Sequence, residues 1–302
     1  MCILFMYVNN NPSPDGYQLV IANNRDEFYD RPAQPAAFWE KHPYCIGGAD
    51  LKEGREGGTW LGASTRGKVG CLLNIRTPSG PDASKKGRGH LVSDYLTSSV
   101  DQKTYLEDLA QEGSQYNEFN LIFLEKISND WHIGYYSNCD SSSPCELQPG
   151  VHGFSNSVSD KPWTKVGYGK EKFSQILAQY PAVSQEDSLQ EELINLLNDT
   201  TQHWPDPQLA IQGGKQPGKL LSRVSAIYVD CGFVRYGTRT NTVLMIDAAG
   251  RGRFVERTMQ EPIDANNPVW NVATHTFALL RLIAVWRQLE DATCVYATRG
   301  MD

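Results

Sequence analysis

The sequence predicts an α+β protein built as a four-layer αββα sandwich, with two antiparallel sheets face to face and helix pairs outside. Three observations carry this. Apolar strand-like runs are separated by short turns rich in Gly, Pro and Asp-Gly, as in antiparallel sheet. The elements come in segregated blocks (strands, two helices, strands, two helices, strands) and not as alternating βα units. The 302 residues are 40% hydrophobic and 21% charged, enough for a sizeable core, and no linker or repeat divides them.

Residues 3–8 (ILFMYV) read as a first strand and 17–22 as its antiparallel partner; residues 9–16 between them, with two prolines and an Asp-Gly, are turn chemistry. Asn23-Asn24-Arg25-Asp26-Glu27 then reads as a polar cluster that ends the second strand. Residues 45–50, 59–64 and 69–74 are further short strands around a glycine-rich run at 53–58. Residues 78–89 form a polar loop whose Lys85, Lys86 and Arg88 read as a solvated run able to meet a phosphate or lipid headgroup. Residues 90–99 and 102–112 carry helical spacing, with Asp101 as an N-cap. Residues 119–126 and 131–137 form a second hairpin, and Gly153-Phe154-Ser155-Asn156 closes a short extended segment. Helices follow at 162–180, opening with proline, and at 185–198, with Leu189, Leu193, Leu196 and Leu197 on one face. Residues 202–218 read as a loop, and 225–230, 237–247 and 253–258 as three late strands. The stretch 278–289 is apolar with two arginines, too short to span a bilayer but suited to lie on a membrane or partner as an amphipathic helix.

A net charge of −7 argues against nucleic acid as a partner, because such binders show a basic footprint. No run approaches the roughly 20 apolar residues of a membrane span, and the N-terminus lacks the basic start of a signal peptide. The seven cysteines are scattered, odd in number and without C-x-x-C, which predicts a reducing, cytoplasmic setting with neither a disulfide framework nor a metal site. No cofactor is required by any motif; Gly57-Gly58-Thr59-Trp60 fits neither a phosphate loop nor a dinucleotide fingerprint.

Cys2 follows Met1 directly, and aminopeptidases generally remove methionine before a small residue. That leaves a thiol and a free α-amine on one residue. An α-amine has an ordinary pKa of roughly 7.7–8.0, so it can take a proton near neutral pH. A nucleophile carrying its own base is the chemistry of N-terminal-nucleophile hydrolases. The alternative is a small apolar side chain opening a buried strand.

The segments Met1-Cys2, Asn24-Arg25-Asp26-Glu27-Phe28, Glu56-Gly57-Gly58-Thr59-Trp60-Leu61-Gly62, Gly87-Arg88-Gly89, Phe119-Asn120-Leu121-Ile122, Gly153-Phe154-Ser155-Asn156 and Gly237-Thr238-Arg239-Thr240-Asn241-Thr242 occur in that order. Together they resemble the NRDE family, that of transport and Golgi organisation protein 2. The resemblance covers residues 1–277 as a single domain and leaves 278–302 as a divergent tail. It implies a fold related to N-terminal-nucleophile hydrolases, an intracellular protein with mitochondrial or Golgi association, and roles in heme trafficking, lipid homeostasis and Golgi organisation or secretion. Heme or an acyl lipid would then be a bound cargo; His90 and His275 are the candidate heme ligands.

A more distant resemblance, to choloylglycine hydrolases and penicillin acylases, implies a mechanism on linear acyl amides. The Cys2 thiolate attacks the amide, and Asp26 holds the α-amine. Asn74 and Asn156 face the oxyanion, and Arg239 tunes the thiolate charge. The arginine position of those enzymes falls on Asn23, so Arg25, two residues later on the same strand face, is its substitute. A thiol without nearby positive charge keeps a pKa near ~8.5 and is a weak nucleophile at neutral pH.

Overall fold

The computed structural model describes residues 1–139 and 143–280. Among the described residues the strands form two seven-stranded, wholly antiparallel sheets. In the first, β1 (Ile3–Val8) and β2 (Tyr17–Phe28) pair as a hairpin. β10 (Gly150–Phe154) flanks β1 on the outside. β12 (Tyr236–Asp247), β13 (Arg251–Met259) and β14 (Trp270–Ala278) extend the sheet beyond β2, and the short β11 (Asp230–Cys231) pairs with β12. The second sheet is a meander in chain order: β3 (Ala33–Trp39), β4 (His42–Asp50), β5 (Leu61–Ser64), β6 (Lys68–Asn74), β7 (Phe119–Ile127), β8 (Asp130–Ser137) and β9 (Cys145–Leu147).

Side-chain alternation stacks the layers. Ile3 and Phe5 of β1 point into a core shared with α3 (Thr164–Gln179), α4 (Glu186–Leu197), α5 (Pro207–Gly213) and α6 (Gly218–Val224). Leu4, Met6 and Val8 point the other way, into an inter-sheet core with Ile46, Leu61 and Ile122. On the far side, α1 (His90–Thr97) and α2 (Gln102–Glu112) bury Leu91, Val92 and Leu106 against Phe119 and Phe123. The expected αββα order is therefore present. Phe173 of α3 is fully buried and stacks on Phe5 with ring centroids 5.9 Å apart. Phe173→Ala should cost about 3–5 kcal/mol of unfolding free energy, read by urea titration.

Four sequence expectations are corrected. β2 does not end at residue 22: it runs to Phe28 because Asn23 to Phe28 pair with β12, and Asn23 and Asn24 also with β1. Residues 202–218 are not all loop, since Asp206 caps α5 by accepting from the Leu209 N–H at 2.8 Å, with Pro207 next to it. That start signal is legible in the sequence, but the surrounding Pro, Gly and Gln composition obscures it. Residues 225–230 are not a strand apart from Asp230, because carbonyls along Val224 to Ile227 go to side chains. Lys165 Nζ donates to Val224 and Ala226, and Asn24 Nδ2 donates to Ile227. Edge strands β3 and β14 were not expected; β3 carries Pro35, which only an edge tolerates well. The amphipathic helix expected at 278–289 falls mostly on residues 281–302, outside those described. Its first residues continue the fold, with Leu279 N–H bonding Gly250 O at 2.8 Å.

Candidate active site and ligand cleft

The site gathers at one end of the sandwich. β1 supplies Cys2 just ahead of its first residue, β2 supplies Arg25 and Asp26 near its end, β6 ends on Asn74, and β12 opens with Tyr236 and Thr238. Successive residues of β2 point to opposite faces. Asn24 turns to the helix layer, donating to Leu197 O at 2.7 Å and accepting from Asn241 at 2.7 Å, so it is a structural pin. Arg25 turns to the inter-sheet side and lays its guanidinium on the Trp60 ring, 4.2 Å from the centroid. Asp26 is buried; its Oδ1 accepts from Thr238 Oγ1 at 2.6 Å and its Oδ2 pairs with the N-terminal ammonium at 3.2 Å. That ammonium belongs to Met1 here and also donates to the Tyr236 hydroxyl.

The Cys2 thiol lies 3.9 Å from the Asp26 carbonyl. Burial pushes it above the ordinary thiol range, the N-terminal charge pulls it back, and Asp26 raises it further. Two adjoining clefts of about 390 and 430 Å³ meet there, sharing Cys2, Asp26, Asn74 and Arg88 as walls. Asn74 has no side-chain hydrogen bond among the described residues and faces both clefts. Asn156 lines only one cleft and donates its amide to the Asn74 carbonyl, so in this arrangement it braces Asn74. Arg239 lies elsewhere. It is fully buried, donates to the carbonyls of Phe28 and Arg31, pairs with Glu261, and lines a separate cavity with Glu256 and Trp60. Thus Cys2, Arg25, Asp26 and Asn74 converge on the thiol, Asn156 stands behind Asn74, and Arg239 does not reach it.

The 390 Å³ cleft is rich in cations. Its Glu27 and Asp50 are both taken by Arg31, at 3.4 Å in the first case. Arg25, Arg55 and Arg88 form no ion pair among the described residues and all line the cleft. Arg88 donates to the Glu118 carbonyl at 2.7 Å, and burial pulls its guanidinium down to about 10. Arg55 reaches the cleft over Gly87, where a Cβ would stand 1.9 Å from Nη1. Lys86 joins the lining, whereas Lys85 bonds Tyr116 O at 3.2 Å. His90 lines this cleft; His275 instead bonds the carbonyl of Ala36 at 2.9 Å.

The model of the family described as Transport and Golgi organisation 2 matches residues 1–261. The chain belongs to that family. It is 40% identical over 282 residues to the Transport and Golgi organization 2 homolog of Mus musculus, covering 92% of this chain and 99% of the relative. The Homo sapiens homolog is likewise 40% identical over 281 residues, and Transport and Golgi organization protein 2 of Drosophila melanogaster is 34% identical over 268. Among solved structures, a C2A mutant of a conjugated bile acid hydrolase from Clostridium perfringens matches 93% of this chain and 98% of that chain, with 10% identity and a TM-score of 0.37.

For this member of the Transport and Golgi organisation 2 family, sequence reasoning missed Trp60, Arg55, Tyr236 and the role of Thr238. Trp60 and Thr238 lie inside recognised segments, but a strand-end position gives no hint that one carries an arginine and the other a carboxylate. Among the described residues no helix is long and apolar enough to cross a membrane.

Proposed function

We propose that this protein serves in transport linked to the Golgi and does so by holding an anionic small molecule, heme or an acyl lipid, in the cleft at Cys2. The names of its relatives support the first part. The second part rests on one observation: the guanidinium groups of Arg55 and Arg88, with no carboxylate partner among the described residues, meet at one cleft of a chain whose net charge is −7. Unpaired, partly desolvated guanidinium groups attract carboxylates and phosphates strongly. Heme offers propionates and an acyl lipid offers a carboxylate or phosphate. The apolar remainder would lie along Trp60 and Leu72 of the same cleft. The reading places the protein in the cytoplasm, with mitochondria and Golgi as sites of association and peripheral membrane contact as the means. Titration with hemin and with oleate tests it. A melting temperature that rises with ligand concentration is expected, and no shift with either ligand would overturn it.

A second reading is favoured by the ammonium, Asp26 and thiol standing together: an N-terminal cysteine amidohydrolase of linear acyl amides. Once Met1 is removed, the Cys2 α-amine takes the Sγ proton, directly or through a water. The thiolate adds to the amide carbon, and Asn74 donates to the oxyanion. The C–N bond breaks, the departing amine takes the proton, and water hydrolyses the thioester to acid and thiol. A retained Met1 in the intact mass of the cellular protein would rule this out. With Met1 absent, Cys2→Ala should lower amide hydrolysis by about 10⁴-fold or more while leaving oleate and hemin binding within about twofold.

A further inference from the structure

Behind Cys2, on the inner face of the first sheet, several buried polar atoms lack hydrogen-bond partners among the described residues. They include Asn23 Oδ1, Arg25 Nη1, Thr242 Oγ1 and Glu256 Oε2. The register explains the grouping. Asn23, Thr242 and Glu256 stand in one row across β2, β12 and β13, and Arg25, Thr240 and Thr258 stand in the next. In the second row the two threonine hydroxyls bond each other at 2.9 Å, which leaves Arg25 the Trp60 face as its company. Trp60 also walls a cavity of about 130 Å³ that Glu256 lines. Arg25 Nη1 and Glu256 Oε2, each without a hydrogen-bond partner among the described residues, thus occupy adjacent rows of one face beside the same indole. A buried charge without a counter-charge is costly, so the two are matched by more than position.

We propose that Glu256 is the counter-carboxyl of Arg25 and, through Arg25, sets how readily the Cys2 thiol ionises. Glu256 Oε1 accepts from the Ala36 N–H at 2.7 Å, so Oε2 is the oxygen that holds or releases the proton. Burial pushes this carboxyl up to about 7, with the Ala36 bond and Arg25 pulling the other way. While Glu256 is neutral, the charge of Arg25 acts undiminished on the cleft and favours the thiolate. When Glu256 ionises, part of that charge is cancelled and the thiolate is disfavoured. The other titratable or charged groups around Glu256 are Arg239 from β12 with its partner Glu261, and His275 from β14, whose ring bonds Ala36 O. Glu256 is a positioning residue, and the inference holds whether the cleft carries a ligand or hydrolyses one.

The test is the alkylation rate of Cys2 by iodoacetamide, followed by mass on the Cys2 peptide, in the full chain and in Glu256→Gln. Gln keeps the acceptor for Ala36. The ratio of variant to wild-type rate should be near one below about pH 6 and rise to about three- to tenfold above about pH 8, as expected for a unit charge acting through an intermediate dielectric. Asp26, the α-amine and His275 are common to both proteins and cancel in the ratio. Arg25 pulls the Glu256 carboxyl down, so in an Arg25→Gln background the rise in the ratio should move to higher pH. A flat ratio in the wild-type background, or one whose pH dependence Arg25→Gln leaves unmoved, overturns the proposal. If Glu256→Gln fails to fold, the infrared carbonyl band of a buried protonated carboxyl in the wild type decides. Its loss between about pH 6 and 8 supports the proposal, and its absence at about pH 5.5 overturns it.

Discussion

Arg55→Ala combined with Arg88→Ala should weaken the binding of hemin and of oleate by about 30- to 150-fold. The reasoning is electrostatic. Both guanidinium groups line the cleft, and neither forms an ion pair among the described residues. A charge-assisted hydrogen bond to a carboxylate contributes up to about 1.5–3 kcal/mol when desolvated. Both side chains are partly buried but still reach solvent, so about 1–1.5 kcal/mol each is the appropriate figure after screening. Two such losses convert to the stated range. The loss should shrink in high salt, because the Debye length falls from about 10 Å at 0.1 M to about 3 Å at 1 M. Isothermal titration at two salt concentrations measures it. An unchanged affinity would mean that the cleft does not hold the anionic group. Neither arginine packs in a hydrophobic core, so the double variant should stay folded and lose about 0.5–1.5 kcal/mol of unfolding free energy through the Arg88 bond to Glu118.

The second large effect concerns stability against pH. The Glu256 carboxyl rises from an ordinary 4.5 to about 7, first because it is buried. The native state therefore binds that proton more tightly than the unfolded chain. The stabilisation is fully present below about pH 4.5 and is lost as pH rises through about 7. The shift corresponds to about 3 kcal/mol across that window. Glu256→Gln removes the titration while keeping the Ala36 bond. The variant should match the wild type in urea unfolding near pH 4.5 and exceed it by about 3 kcal/mol near pH 8. Equal slopes of stability against pH would show that Glu256 ionises freely in the folded protein.

What the sequence determined by itself is local and periodic. The uninterrupted apolar run Ile3 to Val8 read as a strand, and the structure puts one core on each side of β1. Asp101 was legible as a cap, and Leu189, Leu193, Leu196 and Leu197 as the buried face of α4, because both depend on neighbours within a turn. Cys2, Asp26 and Asn74 were legible as candidates from chemistry and from the order of the family's segments. Only the tertiary structure decided which of those side chains meet. The polar run at Asn23 to Glu27 looked like a strand end, since solvation is the default for such residues, until pairing with β12 enclosed it. Arg239 sits on the bulge between Thr238 and Thr240, and a bulge re-aims a side chain in a way no spacing rule anticipates. Lys86 is solvated as read and pairs with Glu112, whereas the loop carries Arg88 into both clefts at Cys2. The nearness of Glu256 to Arg25, 231 positions apart in the chain, follows from strand register alone. Charge and burial are sums over neighbours in space, so the sequence names the groups that titrate, and packing sets where, and toward what, they do so.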